Sequence, residues 1–293
     1  MVNCPNRNFA TSFVCISVED FIVSQFLSNY RDFLKQATKS DKYHGFDVRA
    51  LVRVEPMLSF LFHDWWRVEF NGLEKLPKEG SALIVGNSGS FLPWPATMLL
   101  YALMSSRVNP RRVHIVADMD WIKDERLFAS FLELGFVPFS SANMKRLFAK
   151  GELVAIFPEG AAGLARPFSA RERLIEFDWV KLLPAVEEGV PIFPIATLGC
   201  DEAIPVLTNL DSIAKMLNLP SFPITPFFPW LPFPFNLASL PTKWNMSILK
   251  PLSYEKAEDR DLIEETSMKQ SQFAEGEIQA ELNRLLRQRW RAK

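Results

Sequence analysis

The rhythm of apolar and polar positions changes twice along this chain. Up to about residue 66 the apolar residues recur at helical spacing. Phe21, Ile22, Phe26, Tyr30, Phe33 and Leu34 mark one stripe within Val18–Ala37, and Leu51, Val54, Met57, Leu58, Leu61 and Phe62 mark another within Val48–Trp65. From Arg67 short apolar runs alternate with helical stretches. The runs Arg67–Phe70, Ala82–Val85, Val113–Ala117, Phe136–Phe139, Leu153–Phe157, Ile192–Leu198 and Met246–Leu249 predict strands. Between them Pro95–Met104, Lys123–Leu134, Ser141–Ala149, Ser169–Glu188 and Ile213–Leu217 predict helices, and Ser169 with Glu172 three residues on reads as a capping box. The polar tail, about 255 to 290, carries Ile278, Leu282, Leu285, Leu286 and Trp290 at helical spacing. Its last turns hold Arg284, Arg287, Arg289 and Arg291, which suit a helix C-terminus.

This alternation predicts an α/β fold, a largely parallel sheet flanked by helices. The chain divides into an N-terminal helical segment over 1–66, an α/β domain over 67–252 and a C-terminal amphipathic helix over 253–293. The first part ends in "FLFHDWWRV", aromatic rings beside charges, which fits both a membrane–water boundary and a core-packing helix. Residues 216–242 carry no charge, but Pro220, Pro223, Pro226, Pro229, Pro232 and Pro234 forbid a continuous helix. A spanning segment must satisfy its own backbone, so this stretch reads as an irregular apolar loop.

Composition narrows the chemistry. Hydrophobic residues make up 48% of the 293, enough for a full core. Lys plus Arg number 33 against 34 for Asp plus Glu, so no basic surplus points to nucleic acid. Cys4, Cys15 and Cys200 lack metal-ligand or disulfide spacing, and the histidines are only His44, His63 and His114. No metal and no cofactor are expected. The turn Gly86-Asn87-Ser88-Gly89-Ser90, between a strand and a helix, is a usual place for a catalytic group. It holds neither a histidine nor a carboxylate.

Three segments in order, "WRVEFNGLEKLPKEGSALIVGN", "ELGFVPFSSANMKRLFAKGELVAIFPEG" and "EEGVPIFPIATLG", resemble the blocks of the glycerolipid and lysophospholipid acyltransferase family. The resemblance covers roughly residues 43 to 252. It implies an acyltransferase-like α/β domain preceded by membrane-contacting helices, on the cytoplasmic face of a membrane and peripheral to it. It implies a membrane lipid or lysophospholipid as partner, with acyl-CoA or acyl carrier protein as donor. In the family a histidine takes the proton from a glycerol hydroxyl, the oxygen attacks the donor's thioester, and an aspartate holds the imidazole in place. The resemblance assigns Glu159 and Gly160 of "FPEG", with Arg166 and Arg171, to substrate binding.

The first block departs from the family. Ser88 stands at the histidine's position, and Pro93, or Pro95 in a later register, stands at the aspartate's. Ser140-Ser141-Ala142-Asn143 also replaces the arginine usual after the next strand. The expected function is therefore a family member with lost or strongly reduced acyl transfer and retained lipid or acyl-donor binding. Two alternatives remain. One is an active membrane-associated acyltransferase with a substitute base, for which His114, Asp118 and Asp120 are candidates, although His114 also reads as structural and the aspartates as loop or cap residues. The other is a serine hydrolase using Ser88, ranked last because the elbow's final glycine and a distant C-terminal histidine are missing. His63 and Asp64 read as interfacial and Arg173 as a solvated helix face. Arg111-Arg112 reads as a strand entry, with contact to lipid phosphate the rarer explanation.

Overall fold

The structure, a computed structural model, describes residues 46–89, 93–106, 110–231, 235–256 and 259–291. The expected helix Val18–Ala37 lies outside them, as do Cys4, Cys15 and His44. Seven strands form one sheet in the order β1-β9-β6-β2-β5-β3-β4. They are β1 (Glu69–Asn71), β2 (Ala82–Gly86), β3 (Val113–Ala117), β4 (Phe136–Pro138), β5 (Leu153–Ile156), β6 (Ile192–Leu198) and β9 (Asn245–Ile248). Every neighbouring pair is parallel except β6 with β9. A separate short antiparallel pair joins β7 (Thr208–Asn209) to β8 (Pro223–Ile224).

The central strands read as unbroken apolar runs because both sheet faces are covered. On one face Ile84, Ile115, Ala155 and Ile195 pack against the helices α1 (Val48–Phe60), α2 (Trp94–Ser105) and α3 (Glu125–Glu133). On the other Leu83, Val85, Val154 and Ile156 meet α4 (Ser141–Ala149), α6 (Leu183–Glu188) and α9 (Arg260–Arg291). Between them in sequence lie the short helices α5 (Gly160–Leu164), α7 (Cys200–Ala203) and α8 (Asp211–Leu217). The polar tail forms one 32-residue helix, α9, which buries Ala274, Ile278, Leu282 and Leu285.

One expected helix is not there. Residues 169–188 do not form a single helix: a 3₁₀ turn at Phe168–Ala170, an irregular stretch and a second 3₁₀ turn at Trp179–Leu182 precede α6. The backbone donors that a helical ladder would use are taken by side chains. Glu172 N–H donates to Asp201, Leu174 N–H to Gln279, Ile175 N–H to Glu159 and Phe177 N–H to Glu275. Glu172 also lies at φ 66, outside any helical geometry, so the apparent capping box caps nothing.

The N-terminal part is joined to the sheet by tryptophans. After α1 the chain runs through a π turn, Leu61–Trp65, and reaches Trp66. Trp66 stacks on Trp244 with centroids 4.5 Å apart and meets Trp94 edge-on at 5.2 Å. Its indole N–H donates to Ser239 Oγ, and Trp244 N–H donates to Trp66 O. Trp66 is therefore core, while Met57 and Phe60 of the same segment are exposed. No helix among the described residues is long and apolar enough to cross a membrane. Replacing Trp244 with Ala removes a fully buried indole and one side of the stack. Denaturant unfolding should show a loss of about 3–5 kcal/mol, and a loss below about 1 kcal/mol would mean that this junction is peripheral to stability.

Candidate functional site

Ser88, Asp118, Glu159 and Asp201 each follow the carboxyl end of a strand, β2, β3, β5 and β6 respectively. These strands are neighbours and run the same way, so all four residues arrive at one end of the sheet. In open α/β sheets this end is where ligands bind.

A buried ionic bracket organises the turns there. The Ser88 N–H donates to Glu159 Oε1 at 2.8 Å, so two residues 71 apart in sequence meet directly. Arg166 pairs with Glu159 through Nη2, reaches Asp201 Oδ2 at 3.0 Å through Nη1 and donates to Ser88 O at 3.3 Å. The side chains of Glu159 and Arg166 are 0% and 2% exposed. Asn87 completes the fixing of the turn: its amide donates to Thr197 O and its carbonyl accepts from Thr197 N–H. Two glycines allow the close approach. A Cβ at Gly163 would stand 2.9 Å from Ser88 Cβ, and one at Gly89 would stand 2.1 Å from Cys200 Sγ.

Beside the bracket lies an apolar cavity of about 170 Å³. Its walls include Ile115, Ala117, Met119, Phe131, Phe139 and Phe157. Ser88, Pro93 and Pro95 line it, as do Gly160, Asp118 and Lys181. Lys181, on the 3₁₀ turn Trp179–Leu182, holds Asp118 Oδ2 at 2.5 Å. A second apolar cavity of about 180 Å³, under α1, shares the walls Pro93, Phe131 and Phe136 with the first. Both are lined mainly by hydrocarbon, and the first carries Ser88, Asp118 and Lys181 among its walls, the usual make-up of a small-molecule site.

The residues singled out in the sequence fall into separate places. Ser88, Pro93, Pro95, Gly160 and Asp118 line the cavity. Glu159 and Arg166 stand behind it, bonded to each other, to Asp201 and to backbone, with Arg166 Nε buried without a partner. Arg171 is at the surface, stacked on Phe168 and donating to Phe168 O. His114 lies near the amino end of β3, in register with Val154, and pairs with Glu152 at 3.5 Å. It is therefore at the opposite end of the strand from Asp118. Arg111 ties the carbonyls of Pro77, Gly80 and Gly151 together, and Arg112 stacks on Phe46, so both do structural work. Burial lowers the pKa of His63, which sits against Tyr101 outside the cavity lining. Burial, helped by Asp201, pushes the Cys200 thiol well up, which leaves it an inert neighbour of the turn.

Two participants were missed in the sequence. Asp201 follows the carboxyl end of an apolar run in "TLGCDEA", as Glu159 does in "FPEG", and could have been found. Lys181 carried no signal, because it sat within a stretch that read as continuous helix.

Comparison with known proteins agrees with this architecture. Residues 67–198 match the family described as Acyltransferase. The chain is 34% identical over 238 residues to uncharacterized proteins of Mycobacterium tuberculosis and Mycobacterium bovis, covering 78% of this chain and 65% of each relative. A further relative, from Mycobacterium leprae, is 34% identical over 241 residues, 78% of this chain and 64% of that one. The chain thus spans somewhat under two thirds of the length of these relatives. Among solved structures it resembles the 1-acyl-sn-glycerophosphate (LPA) acyltransferase PlsC of Thermotoga maritima, with a TM-score of 0.51 and 16% identity over 91% of this chain and 97% of that one. Residues 67–198 thus match the acyltransferase family, and the chain has the fold seen in the PlsC structure.

Proposed function

We propose that this protein is a lipid-binding member of the acyltransferase family whose acyl transfer is lost or strongly reduced. One observation carries the reading: Ser88, Pro93 and Pro95 all face the apolar cavity. The positions that the family resemblance assigns to the base and its orienting acid thus border the space where a substrate chain would lie. Neither can act there. Taking a proton from a glycerol hydroxyl requires an acceptor whose pKa lies near the working pH, which a serine hydroxyl does not have, and proline offers no side-chain acceptor at all. Losing a positioned base costs about 10²- to 10⁴-fold in rate. Binding has no such requirement. Hydrocarbon transferred from water into an apolar cavity is stabilised by the area it buries, whether or not chemistry follows. Retained binding of a lipid or acyl donor is the function this geometry supports.

The proline-broken segment adds a seat for the protein at a membrane surface. Met216, Trp230 and Phe235 are among its exposed apolar residues, with Trp230 at 81%. Pro220 of the same segment lines the cavity. An exposed apolar patch that borders an apolar cavity gives a lipid a route from bilayer to protein with little exposure to water.

Two measurements test the proposal. With acyl-CoA and lysophosphatidate, the natural protein and a Ser88→Ala variant, both purified free of host acyltransferases, should transfer acyl groups at background rate. Robust turnover in both would overturn the loss of activity and move the search for a base to Asp118 and Lys181. Turnover abolished by Ser88→Ala would make Ser88 a nucleophile or proton relay. In flotation, the protein should rise with phospholipid vesicles, and Trp230→Ser with Phe235→Ser should weaken this by about tenfold, in line with the apolar area removed. A protein that stays wholly in the soluble fraction with neutral and anionic vesicles alike has no such seat.

A further inference from the structure

The charges around the cavity restrict the head group of its ligand. Among the described residues that line it, Lys181 is the cation and Asp118 the anion, and they are bonded to each other. Behind them Arg166 is held between Glu159 and Asp201. Lys181 and Arg166 are thus both matched by carboxylates. A phosphate monoester would add between one and two negative charges to these surroundings. A fatty-acid carboxylate would meet Asp118 at the same place. Either would set a second anion beside Asp118, a repulsion that solvent at the half-exposed carboxylate weakens without removing.

A hydroxyl meets a different situation. It carries one donor and two acceptor lone pairs, and the Asp118–Lys181 pair offers both complements. The ammonium has three N–H groups, of which the structure commits one to Asp118 Oδ2. The Asp118 side chain is 54% exposed, so its carboxylate keeps accessible lone pairs, whereas Lys181 is 11% exposed and fixed under the cavity edge. The lysine is further held near the Phe139 ring, at 5.7 Å from its centroid.

We propose that the cavity selects a single-chain lipid with an uncharged, hydroxyl-bearing head, the chain lying among the apolar walls and the head hydrogen-bonded to Asp118 and Lys181 beside Ser88. This rests on the reading of the cavity as a lipid site and adds the head-group class to it. The glycerol of a monoacylglycerol fits that description, and the phosphate of a lysophosphatidate does not.

Displacement of Nile red, an uncharged dye, from the full-length protein tests it with 1-monooleoylglycerol, oleoyl lysophosphatidate and oleate, three ligands of equal chain. For the natural protein, monooleoylglycerol should displace the dye at about one tenth or less of the concentration that either anion needs. Asp118→Asn leaves Lys181 uncompensated and should improve lysophosphatidate by about tenfold relative to monooleoylglycerol. Lys181→Gln should weaken monooleoylglycerol and leave the anions poor. Lysophosphatidate equal to or better than monooleoylglycerol on the natural protein overturns the head-group assignment alone. So does an Asp118→Asn variant in which the ratio of the two is unchanged. If none of the three lipids displaces the dye, the cavity is not a lipid site, and the proposed function falls together with this inference.

Discussion

A guanidinium buried between two carboxylates sets the geometry of everything at the carboxyl end of this sheet. Arg166 joins Glu159 and Asp201, and Glu159 in turn receives the Ser88 and Ile175 N–H groups. Each contact fixes a different turn, after β2, after β5, after β6 and within the irregular stretch before α6. Buried charges are expensive to strand: removing one partner of such a pair costs about 3–5 kcal/mol, because the other charge stays buried without compensation. The turns therefore hold one arrangement, and the cavity wall that includes Ser88 and Gly160 follows from it. The same bracket explains why Glu159 and Arg166, which the resemblance assigns to substrate binding, stand behind the cavity. Both carboxylate oxygens of Glu159 and both terminal nitrogens of Arg166 are bonded inside the protein.

The cavity and its replaced positions then belong to a single picture. The bracket keeps the turn after β2 in place, and that turn presents Ser88 where a base would be needed. The apolar walls come from both strands and helices, with Ile115 and Ala117 on β3 and Phe131 on α3. The charged pair among the described walls, Asp118 with Lys181, is internally neutral.

Much of this was legible in the sequence, for identifiable reasons. Strands β2, β3 and β6 were readable to within a residue, because burial on both faces makes them unbroken apolar runs bounded by turn residues. The order of strands and helices carried the fold class. The failure lay at 169–188, where a polar and apolar pattern of helical period is overridden by long-range acceptors. Gln279 and Glu275 of α9, about a hundred residues away, take the donors of Leu174 and Phe177, and local periodicity holds no trace of them. Lys181 was hidden by the same error. The fate of Arg166 was equally unreadable, since whether an arginine meets a ligand or a buried carboxylate is decided by where Glu159 and Asp201 end up in space.

Native mass spectrometry of the protein purified gently from its own host tests the central claim, that the cavity holds a lipid which the protein does not chemically engage. The account predicts a mass excess equal to one lipid, lost completely on denaturation, with the polypeptide mass unchanged after incubation with acyl-CoA. A protein that carries no lipid under any gentle condition contradicts the binding half. An acyl mass that survives denaturation contradicts the other half, because it would place a covalent bond where the structure shows only Ser88 and a cavity.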